Sequence, residues 1–206
     1  MAIDNKALYN LGYGLYVITS NDGVKDNGMI GNTVMQVSSD KIAVGINKAN
    51  YSYETILKSG KMNVLCLTEK APFSVFKTFG FQSGKDKDKM RYETFYRSEN
   101  GLAVIEKCVN AYLSLKVEEH LDLGSHGLFI CSVTESEVLS IEPSMTYAHY
   151  HNNVKPKPQP TTAKGYRCKI CGYVYEGNPL PEDFICPWCK HPASDFEPID
   201  SFSQKD

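Results

Sequence analysis

Two pairs of cysteines close the chain. Cys168-Lys-Ile-Cys171 and Cys186-Pro-Trp-Cys189 stand fourteen residues apart in "YRCKICGYVYEGNPLPEDFICPWCK". A two-residue gap lets both sulfurs of a knuckle turn toward one ion while the amides that follow donate to them. Two such knuckles make a closed tetrahedral site of four thiolates, suited to zinc or to a single iron. Gly172 follows the second cysteine, where a residue tolerant of positive φ brings an N–H close to sulfur. Pro187 follows the third and stiffens its turn. Tyr166, Tyr173, Tyr175, Phe184, Trp188 and Phe196 would supply an apolar shell. Burial of this kind, with N–H···S bonds, tunes a redox potential. The other cysteines, Cys66, Cys108 and Cys131, bring the total to an odd seven and lie in strand-like stretches. They read as small apolar residues of a reducing compartment rather than a disulfide framework.

A second polar concentration runs from Gly28 to Thr55. If "GNTVMQVSSD" is a strand, alternation puts Asn32, Val34, Gln36 and Ser38 on one face and Thr33, Met35 and Val37 on the other. "GINKANYSYE" then gathers Asn47, Lys48, Tyr51 and Ser52 at a strand-to-helix junction. Amides, a cation and hydroxyls beside a helix N-terminus suit a phosphate, and they equally suit a polar rim whose helix is capped by Ser52. No P-loop and no G-x-G-x-x-G after a strand is present, and neither HExxH nor G-x-S-x-G occurs.

The elements that must position these residues are mostly strands. "YGLYVITS", "NGMIGNTVMQVSS", "KIAVGIN", "KMNVLCLT", "LSLKVEEHLDL" and "HGLFICSVTESEVLS" are rich in Val, Ile, Tyr and Phe and are separated by Asn-Asp-Gly, Ser-Ser-Asp and Ser-His-Gly turns. Two helices interrupt them: "NYSYETILKSG", stopping at Gly60, and "APFSVFKTFG". Strands of this number and spacing predict a closed or partly open barrel. The reading is mainly β, with residues 1–150 as the barrel domain. Residues 151–164, "HNNVKPKPQPTTAK", form a Pro-rich linker. At ~3.1 Å per residue it spans about 40 Å, enough to reach a neighbouring subunit. Residues 165–206 form a metal domain too short to hold a core without its staple. A net charge of −2 argues against nucleic acid, and no apolar run is long enough for a membrane span. No secretory signal is evident at the start, so the cytoplasm is expected.

The tail segments "YRCKICGYVYEG" and "LPEDFICPWCKHPASDFE" resemble a rubredoxin with the shortened spacer of rubrerythrin-type and fused rubredoxins. That resemblance implies one iron per chain held by Cys168, Cys171, Cys186 and Cys189, with a structural zinc ribbon as the alternative. Residues 8–145, from "YGLYVITSNDG" through "FGFQSGKDKDKMR" to "HLDLGSHGLFICSVTESEVL", resemble the flavin-reductase-like, FMN-binding split-barrel family, a Greek-key-like β-barrel. It implies that Asn32, Thr33, Val34 and Gln36, with Ser38 on the same strand, lie against FMN. Asn47, Lys48, Tyr51 and Ser52 would hold its phosphate, Lys89 would approach the flavin, and His126 would stand near the nicotinamide as the one candidate catalytic side chain. The family's Pro-Pro after the Ser-rich strand is absent from "SSDKIAV", and Gly124-Ser125-His126 replaces Gly-Asp-His. Together the two resemblances imply an NAD(P)H-dependent oxidoreductase that forms homodimers. It would move single electrons from FMN through iron to a partner such as a flavodiiron oxygen or nitric oxide reductase. Alternatives are an FMN/iron carrier reduced by a separate reductase, and a flavin reductase with a zinc ribbon.

Overall fold

In the computed structural model residues 7, 10–156, 165–169, 172–187 and 192–199 are described, and the chain divides into two units, Met1–Val154 and Lys155–Asp206. In the first, the Asn-Asp-Gly turn joins β1 (Tyr16–Asn21) to β2 (Asp26–Gly31). Asp22 Oδ1 accepts from the amides of Val24 and Lys25, both at 2.8 Å, so the turn is closed by its own side chain. β3 (Val34–Gln36) and β4 (Lys41–Asn47) lead to α1 (Tyr51–Ser59), which ends at Gly60 in the left-handed conformation. β5 (Lys61–Leu67), α2 (Phe73–Gly80) and the short hairpin β6 (Phe95–Arg97) and β7 (Ala103–Ile105) follow. The long hairpin β8 (Val109–Asp122) and β9 (His126–Val138) completes the sheet, and α3 (Tyr147–His149) and a π-helical turn (Tyr150–Val154) end the unit.

Seven strands pair antiparallel in the order β2-β1-β5-β8-β9-β4-β3. Laid flat, the edges β2 and β3 would stand about 29 Å apart at ~4.8 Å per strand. Only Asn32 and Thr33 connect them, and so short a link spans about 10 Å. The sheet therefore has to curl until its edges nearly meet, and register shifts in β8 at Ser114/Leu115 and Val117/Glu119 give the bend. This corrects the reading of "NGMIGNTVMQVSS" as one strand. It is two strands at opposite edges, so the expected single polar face from Asn32 to Ser38 does not form.

Both faces of the curl are packed. Ile18, Val44, Ile46, Val64, Leu115 and Phe129 point inward, where Tyr53 and Ile56 of α1 join them. Val17, Leu65, Leu67 and Tyr112 point outward under Phe76 and Phe79 of α2 and Val104 of β7. Adjacent residues such as Val17 and Ile18 thus serve different cores, which is why β1 reads as a continuous apolar run. Thr19 donates to the carbonyl of Ala103 and Asn63 to Ser98, fastening the β6–β7 hairpin to the outer face. Those two three-residue strands gave no sequence signal.

The expected linker began at His151, but 151–154 are helical and belong to the first unit. Tyr150, at their start, is buried against Phe76 with ring centroids 4.4 Å apart. Residues 157–164 of the linker lie outside the described residues. In the second unit β11 (Val174–Tyr175), β10 (Tyr166–Cys168) and β12 (Phe196–Pro198) form a small antiparallel sheet in that order. Arg167 and Glu197 pair across it at 2.7 Å. Among the described residues no helix is long and apolar enough to cross a membrane.

Candidate functional site

The β4-to-α1 corner is built by strands far apart in sequence. Asn47, last in β4, stands opposite His126, first in β9. The Lys48 amide donates to Ser125 O at 3.0 Å, and its ammonium meets Asp122 at 2.5 Å. Asp122 holds the Lys48 pKa above its usual value, and Lys48 in turn holds the Asp122 carboxyl below its own. The His126 Nδ1 lies 2.9 Å from Ser125 Oγ on an exposed tip. Asn47 Oδ1 accepts from Ala49 N at 2.8 Å and shapes the entry to α1. The N-cap residue is Asn50, in extended conformation, and its side chain makes no cap bond. An α-helix start without a side-chain acceptor, beside a lysine, is suited to an anion.

Ser52, expected to cap this helix or to touch a phosphate, lies inside the first turn. It is 1% exposed, and its Oγ accepts from Asn27 Nδ2 at 2.7 Å. Asn27 is buried as well, and among the described residues its Oδ1 has no hydrogen-bond partner. Tyr51 turns the other way, toward the β1–β2 turn, and donates to Asp22 Oδ2 at 2.5 Å. That bond, with the turn amides, lowers the Asp22 carboxyl to about 2.

Lys89 is buried and donates to Gly28 O at 2.9 Å and Phe79 O at 3.2 Å, while burial lowers its amine to about 8. The Phe79 ring explains the glycine at 28, because a Cβ there would lie 2.8 Å from it. Loop 80–90 is also tied to the β1–β2 turn, by Lys25 reaching Gly84 O.

The remaining predicted flavin residues follow the edge strand. Asn32 and Thr33 form the β2–β3 link, where Thr33 O accepts from Gly45 N at 2.8 Å. Val34 packs into the inner core, and Gln36 is exposed. Ser38 bends away to bond Asp40 at 3.0 Å. The structure therefore brings Asn47, Lys48 and His126 to one corner, puts Asn32 to Gln36 along the edge, and buries Ser52 and Lys89 behind them. Sequence reading missed Asp122, Asp22 and Asn27, whose partners are 74, 29 and 25 residues away. It also missed His120, whose Nε2 lies 3.0 Å from the Tyr53 hydroxyl behind this corner. No local pattern marks any of the four.

In the second unit Cys168 and Cys186 are buried, at 1% and 0% exposure. Gly172, at φ 80°, returns its N–H to Cys168 O at 2.9 Å, and Cys168 N donates to Tyr173 O at 2.8 Å. Phe184 packs against Tyr175 and Phe196 with centroids 4.7 and 5.3 Å away. Cys171, Cys189 and Trp188 lie outside the described residues, among which no set of three ligating side chains is assembled. In the first unit burial pushes Cys66 up to about 11 and Cys131 up to about 12, so both stay protonated thiols at neutral pH.

Residues 8–157 match the family model described as flavin reductase like domain, and residues 166–197 match the rubrerythrin, rubredoxin-like domain. The high molecular weight rubredoxin of Moorella thermoacetica is 37% identical over 96% of this chain and 100% of that protein. The ferric-chelate reductase (NAD(P)H) of Archaeoglobus fulgidus is 32% identical over 80% of this chain and 98% of that one. The solved NADH:FAD oxidoreductase of Streptomyces globisporus shares the fold with a TM-score of 0.62, at 17% identity, over 71% of this chain and 92% of that chain. These matches imply a flavin and an iron. The uncapped start of α1 beside Lys48 fits a flavin's phosphate, and the buried pair Cys168 and Cys186 with its glycine turn fits an iron–thiolate centre. The chain belongs to the flavin reductase-like family, as an oxidoreductase whose barrel is followed by a rubredoxin-like unit.

Proposed function

We propose that the barrel takes a hydride from NAD(P)H onto FMN and that single electrons leave through one iron per chain, held by Cys168, Cys171, Cys186 and Cys189. The observation that carries this reading is the pairing, in one chain, of the uncapped, lysine-flanked α1 start with the buried cysteines Cys168 and Cys186. FMN supplies hydride acceptance with stepwise electron release, and a tetrathiolate iron supplies a one-electron site. The protein's part is binding and exclusion of water. Lys48 and the first-turn amides of α1 neutralise a phosphate, with Asn47 flanking it and Tyr51 turned away toward Asp22. Asn32, Thr33, Val34 and Gln36 lie along the ring and ribityl chain, and Lys89 and Ser52 brace the strand behind them. His126 stands at the exposed mouth, on the nicotinamide side. Tyr173, Tyr175, Phe184 and Phe196 keep water from the thiolates.

The acceptor in this reading is a separate protein of the flavodiiron oxygen or nitric oxide reductase type. Exposed Met35 on the edge strand β3 and Val37 just after it, with Leu121 and Leu123 on the β8–β9 tip, support a homodimer. Thiols kept in reduced form, Cys66 and Cys131, suit the cytoplasm. A second reading, favoured by the relative named ferric-chelate reductase (NAD(P)H), has electrons leave the barrel directly onto a ferric chelate.

An anaerobic visible spectrum, taken before and after NADH, tests the scheme. Flavin and ferric-thiolate bands that both bleach support it. Bands that both persist make the protein a carrier that awaits a reductase, and a flavin band without iron makes the tail a zinc ribbon. Full transfer from NADH to an added acceptor protein by Cys171→Ser would remove the iron from the path and favour direct exit.

A further inference from the structure

Along the outer side of α1 a cleft of about 660 Å³ opens between that helix, the β1–β2 turn and the β6–β7 hairpin. Its volume lies in the range of small-molecule sites, roughly 300–1,000 Å³. Tyr51, Glu54 and Lys58 follow the spacing that puts side chains on one helix face. From Tyr51 to Ser59 the helix runs about 12 Å. The lining is chemically polarised. The Tyr51 ring, Asp22 and Glu54 stand toward the start of the helix, and Lys58 and Lys61 stand at its end with Arg97 across the gap. Arg97 is already matched by Asp26, at 2.6 Å and 2.7 Å. The Lys58 ammonium makes no ion pair or hydrogen bond among the described residues.

With carboxylates at one end and lysines at the other, the lining matches a ligand whose donors and anionic group are separated along its length. A ligand that satisfies both ends carries a planar ring, neutral hydroxyls that donate to carboxylates, and an anionic group about 10 Å away. A nucleotide has this sequence of groups.

We propose that this cleft binds the adenosine phosphate moiety of a redox dinucleotide, with the base against Tyr51, the ribose hydroxyls toward Asp22 and Glu54, and phosphate on Lys58 and Lys61. The moiety belongs either to NAD(P)H or to FAD, whose chemistry is the same in this portion. The inference rests on the reading of the barrel as an NAD(P)H-dependent flavin site, and it extends that site down the outer face of α1.

The test is calorimetric titration of the flavin-loaded full chain with ADP, in the wild type, in Lys58→Glu and in Ser59→Trp, which fills the cleft from an exposed position. Charge reversal at one phosphate contact is expected to weaken ADP about tenfold, the tryptophan variant to abolish its binding, and FMN affinity to stay unchanged in both. A KM for NAD(P)H that rises in Lys58→Glu at constant flavin affinity assigns the moiety to the nicotinamide coenzyme. An FAD affinity that falls while KM holds assigns it to FAD. Absence of ADP binding to the wild type, or ADP binding that neither variant alters, overturns the proposal. Failure of FMN to bind while ADP still does would instead refute the flavin assignment and leave the cleft standing.

Discussion

Replacing Lys89 by methionine isolates the energetics of the buried amine. In the folded chain burial lowers Lys89 from 10.5 to about 8. Between those values the unfolded chain holds the proton that the folded chain has released, so stability rises with pH. The contribution is complete above the unfolded value near 10.5 and is lost as pH falls through about 8. A difference of that size corresponds to about 3 kcal/mol. Methionine has a similar length and carries no proton, so the variant lacks this dependence. It also leaves the carbonyls of Gly28 and Phe79 without their donor, at about 1–3 kcal/mol for each buried group. That second cost does not vary with pH. The stability of the wild type minus that of Lys89→Met should therefore grow by about 3 kcal/mol from ~pH 7.5 to ~pH 10.5. Urea titrations at three pH values, followed by far-ultraviolet circular dichroism, measure it. Fluorescence is the wrong probe, because the one tryptophan, Trp188, belongs to the tail. Tyrosines and thiols titrate alike in both proteins and cancel. A difference flat in pH would show that the Lys89 amine is not desolvated, and the assignment of loop 80–90 as a closed brace over β2 would fail with it.

Lys48→Ala should weaken FMN about tenfold, since one charge-assisted contact to phosphate is lost while the α1 amides remain. Quenching of flavin fluorescence at low salt reads this, and unchanged affinity would move the phosphate elsewhere. Cys186→Ser should abolish the ferric-thiolate absorption and release the tail from its compact state, seen as a red shift of Trp188 emission, because so short a unit depends on its metal for stability. An iron-loaded spectrum like that of the wild type would contradict it. Ile56→Ala, at a position with 0% exposure inside the curl, should cost about 2–5 kcal/mol. A loss under about 1 kcal/mol in urea would mean that α1 does not plug the barrel.

Local chemistry was readable where a few neighbouring residues decide the outcome. The Asn-Asp-Gly turn, the stop of α1 at Gly60 and the Cys168 turn with Gly172 rest on contacts within a handful of residues, and the strands 41–47 and 126–138 were marked by their β-branched and aromatic composition between turns. The number and spacing of the strands also announced a barrel. By contrast "NGMIGNTVMQVSS" looked like one strand, because both halves are rich in strand-forming residues and only the pairing of β2 and β3 at opposite edges of the sheet separates them. Ser52 looked like a cap because hydroxyls near a helix start usually are, yet Asn27, from a strand 25 residues earlier, draws it inward.

What the sequence by itself determined is therefore the longer strands and the first two helices, the spacing of the cysteine pairs and the resemblance of each unit to a family. These depend on backbone propensity, turn chemistry and spacing, all short-range. The tertiary structure alone decided which side chains face each other. The two-residue link between β2 and β3 forces the curl, and the pairing of β4 with β9 sets the β8–β9 tip beside the start of α1, where Asp122 becomes the partner of Lys48. The 80–90 segment folded against β2 and the end of α2 encloses Lys89 and lowers its amine. Burial and pairing at that corner arise from strands distant in the chain, and no local pattern encodes a neighbour that arrives from the far side of a sheet.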